Sequence, residues 1–228
     1  MAALGITLAF AGLAWIAHGV NLSGALAGFA VAFVLAQSDL RLFAALLIVF
    51  VLVLAATRLG AQRKRQLRTA ESSDGRSASQ VMANLGVAAF VVTLPPSNWP
   101  GIGMVMALAA LAEAAADTCS GEAGMAFPAK TVLITTWRPI APGLDGGVSL
   151  VGTAAAFVAA ALIALTGTIT GLLSTRETVI VVLAGFLGTV IDSLLGATLE
   201  RRGWLNNDLV NLLSTGAAAA IAWAMAAL

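Results

Sequence analysis

Apolar positions run along this chain in long blocks, and polar positions gather between them. Eight stretches, roughly 1-17, 23-38, 41-59, 79-95, 100-118, 147-168, 177-199 and 207-227, read as helices rich in Ala, Leu, Val, Ile, Phe and Gly. Several reach the roughly 17 to 25 residues that carry a helix across a hydrocarbon core about 30 Å thick. None alternates as the strands of a membrane barrel do, so helices must do the spanning. The pattern predicts an all-α, polytopic helical membrane protein of about eight transmembrane passes. The first stretch has no basic residue ahead of it and no convincing small-residue cleavage site after it, so it is read as a membrane helix and not as a removable signal peptide.

One polar block orients the rest. "RLGAQRKRQLRTAESSDGRSASQ", from Arg58 to Gln80, is basic and poor in bulky apolar residues, and is expected to be a loop outside the bilayer. The positive-inside rule makes it cytoplasmic. Alternating passes then put Lys130, Arg138, Arg201 and Arg202 on the same side and leave only Arg41 and Arg176 opposite, so ten of the twelve basic residues fall inside. Both termini are therefore expected outside a bacterial inner membrane, with the functional face toward the cytoplasm. The whole of 1-228 reads as a single integral membrane domain. It divides into an N-terminal three-helix part at 1-59, a basic cytoplasmic loop at 60-78 and a motif-bearing catalytic core at 79-228.

Composition agrees with the pattern: 60% of residues are hydrophobic, 10% are charged, and mean hydropathy is +0.96. Cys119 is the only cysteine, which excludes an internal disulfide and a cysteine-based metal site. His18, the only histidine, reads as an interfacial or packing residue and gives no zinc cluster. Trp15, Trp99 and Trp204 near helix ends fit an aromatic belt.

Candidate chemistry lies in polar residues that membrane helices should not carry. In "GFLGTVIDSLLGATLERRG", Gly185, Gly188, Asp192, Gly196 and Glu200 share a helical face, and Ser193 follows Asp192. Asp192 is about 13 Å deeper than Arg201, where an aspartate costs roughly 2.5 to 3.5 kcal/mol on insertion scales unless it faces protein, water or a cation. "NNDLVNLLSTG" opens the last helix with Asn207, Asp208 and Asn211, of which Asn207 is also a candidate cap. "SQVMANLG" sets Gln80 and Asn84 one turn apart.

"EAAADTCSGEAG" places Glu113 and Asp117 on one face, while Glu122 would diverge on a continuous helix. Ser120 and Gly121 are expected to break it, giving a broken or re-entrant segment near 118-124 that brings Asp117 and Glu122 together. In the following loop, "PGLDGGVSLVG" is expected to run Asp145, Gly146 and Gly147 directly into the next helix. That arrangement would aim unpaired N–H groups at a phosphate, with Lys130 and Arg138 nearby. Acids that suit Mg²⁺, with basic residues and a glycine-rich helix entrance, point to phosphoryl or nucleotidyl transfer.

"GRSASQVMANLG", "DTCSGEAG", "PGLDGGVSLVG", "GTVIDSLLGATLE" and "NNDLVNLLS", in this order, resemble the domain-of-unknown-function 92 integral membrane family, which includes plant phytyl-phosphate kinase and an animal transmembrane protein of unclear role. The resemblance runs from about Arg63 to Ser214. The family's acidic motif, usually Asp-Thr-Trp-Ala-Ser-Glu, keeps Asp117, Thr118 and Glu122 here. Its Thr-Asn-Gly-Gly motif appears as Leu144-Asp145-Gly146-Gly147. The resemblance implies a CTP-dependent kinase that converts an isoprenyl monophosphate to the diphosphate. Under it, Asp117, Glu122, Asp192 and Asp208 are the catalytic, Mg²⁺-ligating acids. Arg76, Asn84, Lys130, Arg138, Asp145, Gly146, Gly147, Ser193, Asn207 and Asn211 form the nucleotide and phosphate site. Expected partners are the isoprenyl monophosphate, CTP and membrane lipids, with a homo-oligomer open and no nucleic acid. The same groups would serve a cytidylyltransferase making a CDP-lipid, and intramembrane acids would also suit a lipid or ion transporter.

Overall fold

The computed structural model describes residues 2–67, 74–94 and 101–228. Its helices are α1 (Ala2–Ile16), α2 (Leu22–Ser38), α3 (Leu40–Arg58), α4 (Ala61–Leu67), α5 (Ala78–Val91), α6 (Ile102–Ala126), α7 (Leu150–Ile169), α8 (Thr175–Leu195) and α9 (Asn207–Ala226). Two short strands, β1 (Val132–Leu133) and β2 (Gly147–Val148), pair antiparallel in the loop before α7. A single π-helical turn, Gly196–Glu200, extends α8. Trp99 and Arg68 lie outside the described residues; Trp15 and Trp204 are exposed near helix ends.

Helix α6 occupies the centre because its side chains are small. Ala107, Ala109, Ala110, Ala112, Ala115 and Ala116 are fully buried, and 72% of its apolar window is buried against 33 to 39% for the other long helices. Small side chains on both partners let backbones approach. A Cβ on Gly185 would stand 2.8 Å from that of Ala112, and one on Gly152 would stand 2.7 Å from the Ser120 carbonyl oxygen. This packing corrects the expected break near 118-124: α6 runs unbroken through Ser120 and Gly121 to Ala126. An internal glycine costs a helix only about 1 kcal/mol, which the contacts of α7 and α8 along α6 outweigh.

Among the described residues five helices, α3, α6, α7, α8 with its π turn, and α9, are long and apolar enough to cross a membrane, while α1, α2 and α5 are apolar but shorter. The 14 residues of α5 reach only about 21 Å. The apolar helices nevertheless alternate in direction as expected. At one end Arg58 donates to the Ala17 carbonyl at 3.0 Å, joining the ends of α1 and α3. At the other, Arg41 donates to the carbonyls of Thr170 and Gly171 at 3.3 Å, and Arg176 to that of Met225 at 3.5 Å. Asp39 alone links α2 to α3: it accepts from the Arg41 backbone at 2.8 Å, and the Arg41 side chain holds its carboxyl below the usual carboxylate range.

The basic segment is also corrected. Within 60-78 the chain forms α4, which docks on α6: Arg63 donates to the Met125 carbonyl at 3.2 Å, and Lys64 is buried. Lys64 can be buried because its ammonium meets both a carboxylate and the carbonyls that end α3.

Candidate functional site

The seam where α6, α8 and α9 meet carries three acids. Asp117 on α6 and Asp192 on α8 come within hydrogen-bonding reach of each other. Asp192 Oδ2 also accepts from the Ser214 hydroxyl of α9 at 3.2 Å. One turn deeper on α6, Glu113 packs against Gly188 and lies beside Ser214. It is 1% exposed, and its Oε1 has no hydrogen-bond partner among the described residues. Gly188 explains part of the glycine face seen in the sequence, because a side chain there would displace Glu113.

Asp117 and Asp192 open into a cleft of about 410 Å³, walled by the end of α6, the start of α7 and residues 142–147. Thr131 also lines it, and its buried Oγ1 makes no hydrogen bond among the described residues. Gly146 (φ +71°) seats the loop directly on Ala197, and a Cβ at Gly196 would stand 2.9 Å from the Gly146 nitrogen. The π turn thus presents a bare glycine to the loop. It also brings Glu200 into electrostatic reach of Asp145 and Asp117. Such turns are frequent at functional sites.

Arg76 stands beside this cleft. Its Nη2 lies 3.4 Å from Thr118 Oγ1, and its charge reaches Asp117. Its backbone is fixed from both sides, the carbonyl accepting from Asn21 N at 3.0 Å and the N–H donating to the Gly19 carbonyl at 3.2 Å. On its other side Arg76 lines a separate, mostly apolar cavity enclosed by α1, α2, α3 and α5, which His18 and Asn84 also line.

Of the residues singled out from sequence, Asp117, Asp192, Ser193, Asp145, Gly146 and Gly147 line one cleft, and Arg76 borders it. Glu122 does not join Asp117. On an unbroken α6 it is carried round the helix, where its Oε2 accepts from Lys64 Nζ at 2.5 Å. Asp208 lines a groove between α5 and α9 with Ser79 and Phe90. Asn207 is exposed in the first turn of α9, and the cap is Asn206, which accepts from Leu209 N at 2.9 Å. Asn84 donates to the Gln80 carbonyl at 2.9 Å, and Asn211 is buried with its carbonyl taking the Thr215 hydroxyl at 2.8 Å. Lys130 and Arg138 are exposed on the loop, Lys130 beside a further groove with Trp137 and Leu150.

The glycine motif is corrected as well. Gly147 belongs to β2 and its N–H donates to the Leu144 carbonyl at 3.0 Å, while α7 begins later, at Leu150, under a Ser149 cap. Among the described residues no group of three or more His, Cys, Asp or Glu is arranged to hold a metal ion; of the four acids named from sequence, Asp117 and Asp192 line one cleft, while Glu122 meets Lys64 and Asp208 lines another groove. Thr131, Ser214 and Glu200 were not assigned site roles from sequence. Glu200 gave a signal, on the face of α8 that it shares with Asp192 and the glycines.

Comparison with known proteins places the chain in a broad group. It is 34% identical over 74% of its length to an uncharacterised membrane protein of Synechocystis, covering 67% of that protein. It is 30% identical over 81% of its length to Protein PGR of Arabidopsis thaliana, covering 73% of it. Against the chloroplastic Protein VTE6 of Arabidopsis it is 35% identical over 43% of this chain and 30% of that one. No solved structure matches it. The profile of the integral membrane protein DUF92 family matches residues 5–219, and this chain is a member of that family.

Proposed function

We propose that this protein is a CTP-dependent isoprenyl-phosphate kinase, with the active site in the cleft of Asp117 and Asp192 and that end of the bundle facing the cytoplasm. The observation that carries the reading is the carboxyl pair at the mouth of a polar cleft, with Arg76 between it and an apolar cavity. Its motifs resemble the family that includes plant phytyl-phosphate kinase, and CTP is available at the cytoplasmic face, where the positive-inside rule puts this end.

The donor set fits magnesium. Two carboxyl groups in hydrogen-bonding reach, with Glu200 and Glu113 nearby, present several carboxyl oxygens at one seam, the ligands a divalent cation would take in exchange for protons. Hard oxygen ligands in small number are what Mg²⁺ takes when phosphates complete its shell. Asp117 and Asp192 would hold the ion, which would supply neutralisation of the triphosphate charge. Ser214 orients Asp192 through its hydrogen bond. The Thr131 hydroxyl supplies a donor to a phosphate oxygen, and residues 142–147 wall the cleft on one side.

In the reaction, an oxygen of the lipid monophosphate bonds to the γ-phosphorus of CTP. The bond from that phosphorus to the β–γ bridging oxygen breaks, and its electrons leave with CDP. The acceptor is already ionised, so no strong general base is needed, and positioning with charge stabilisation supplies the rate. Arg76 holds the acceptor phosphate. Purified protein given labelled CTP, Mg²⁺ and a panel of isoprenyl monophosphates is expected to form CDP and lipid diphosphate. Release of pyrophosphate with a CDP-lipid would reassign it as a cytidylyltransferase, and no nucleotide turnover with any acceptor would end the enzymatic reading.

A further inference from the structure

The apolar cavity beside Arg76 is built from elements the cleft does not use. Its walls come from α1, α2, α3 and α5, including Phe10, Leu46, Val49 and Phe50, and Arg76 is the one charged residue among the described residues that line it. Parallel pairing of Val20 with Arg76 joins the α1–α2 link to the residue that ends the basic segment. That pairing sets the Arg76 guanidinium so that one side faces Thr118 and Asp117 while the residue still lines the cavity.

Two glycines of α2 shape the wall. Gly24 and Gly28 are one turn apart and share a face. A Cβ on Gly24 would run into the Arg76 carbonyl, so this face points toward Arg76. A Cβ on Gly28, also in the wall, would meet no atom within 4 Å. The face thus closes on Arg76 at Gly24 and opens into space one turn deeper.

We infer that this cavity receives the phosphate-proximal isoprene unit of the lipid substrate, with Arg76 holding the phosphate at the junction between cavity and cleft. The inference rests on the lipid-phosphate reading of the cleft. Two features select this occupant. A cation in the wall of a mostly apolar chamber fits a molecule with an anionic head and a hydrocarbon body, and Arg76 reaches from that chamber to Thr118 and Asp117 at the acidic cleft. Size then limits what is recognised. The cavity measures about 120 Å³, close to the roughly 150 Å³ that accommodates a benzene-sized guest. One branched isoprene unit fills it, and the rest of a longer chain must leave for the bilayer. The protein therefore reads the branching next to the phosphate and is tolerant of total chain length.

The test is photolabelling of the whole protein in phospholipid vesicles, without nucleotide, by an isoprenyl monophosphate carrying a diazirine on its first unit. Labelled peptides from α2, α3 or α5, competed by unlabelled short and long isoprenyl monophosphates but not by a straight-chain alkyl phosphate, are expected. Gly28→Leu should cut this labelling about tenfold, the scale of one buried side chain displaced from an apolar site, while Gly5→Leu, exposed on α1 where a Cβ also meets nothing, leaves it unchanged. Label on the Lys130 groove or the α5–α9 groove, equal competition by the straight-chain phosphate, or full labelling of Gly28→Leu would each overturn the assignment. Because no nucleotide is present, labelling of the cavity without CTP turnover would sink the kinase reading alone. Turnover with label elsewhere would sink the cavity alone.

Discussion

The cleft and the cavity lie on either side of Arg76, and they are made in opposite ways. The cleft is walled by backbone, glycine and oxygen: residues 142–147, Thr131, Ser193 and the two aspartates. The cavity is walled by aliphatic and aromatic side chains of the long helix α3 and of α1, α2 and α5, which are shorter than a bilayer is thick. A polar cleft must satisfy its own groups, so it is pinned by specific contacts such as Ser214 to Asp192 and Gly146 on Ala197. An apolar chamber needs only shape and tolerates substitution that preserves it. Chemistry at the first should therefore be destroyed by single atoms, and binding at the second only by changes in volume.

The largest expected effect is on chemistry. Asp117→Asn and Asp192→Asn should each lower CTP turnover by about a thousandfold or more, with folded protein still recovered from the membrane and photolabelling of the cavity retained. Near-normal rates in either variant would take that carboxylate out of the site. Next comes the tie between the two halves. Lys64 joins the end of α3, in the cavity wall, to Glu122 on α6. Lys64→Met strands a buried carboxylate and should destabilise by about 3 to 5 kcal/mol, while Lys64→Met with Glu122→Leu should recover most of that loss. Thermal unfolding in detergent measures both, and an unshifted single variant would refute the tie.

A smaller effect is expected at Gly146, whose positive φ and contact with Ala197 both disfavour a side chain. Gly146→Ala should cost about 1 to 3 kcal/mol and lift the loop from the π turn, read as faster proteolysis within 139–146, with the cavity labelling unaffected. The smallest change belongs to the far end of the bundle. Asp39 is held below its ordinary value of 3.8 by Arg41, so its contribution is complete above that pH and is lost as pH falls through the lowered value. Asp39→Asn should lower the midpoint by only about a degree or two at neutral pH, and the difference from the parent should shrink on acidification. A difference that grows in acid would contradict the assigned ion pair.

The sequence exposed Asp117 and Asp192 because an acid in an apolar helix is costly enough to demand a reason, and the glycine face of α8 told where its packing lay. It misread Glu122 because the partner that explains it, Lys64, is 58 residues away and sits in a segment whose charge suggested solvent. It misread Ser120 and Gly121 because local helix preference is about a kilocalorie, while the close fit of Gly152 on Ser120 is tertiary and leaves no local trace. Gly146 and Gly147 read as a phosphate cradle, since a glycine pair looks the same whether backbone approaches a ligand or another helix. Thr131 gave no signal at all, being one threonine in a loop of several.

The bond between Lys64 and Glu122 also constrains the order of assembly. Lys64 precedes its carboxylate by the whole of α5 and most of α6, so while the chain emerges its ammonium has nowhere dry to go and stays hydrated at the surface. Only when α6 is in place can α4 swing in and shed that water. A segment whose charge suggests solvent thus becomes the latch that closes the finished bundle.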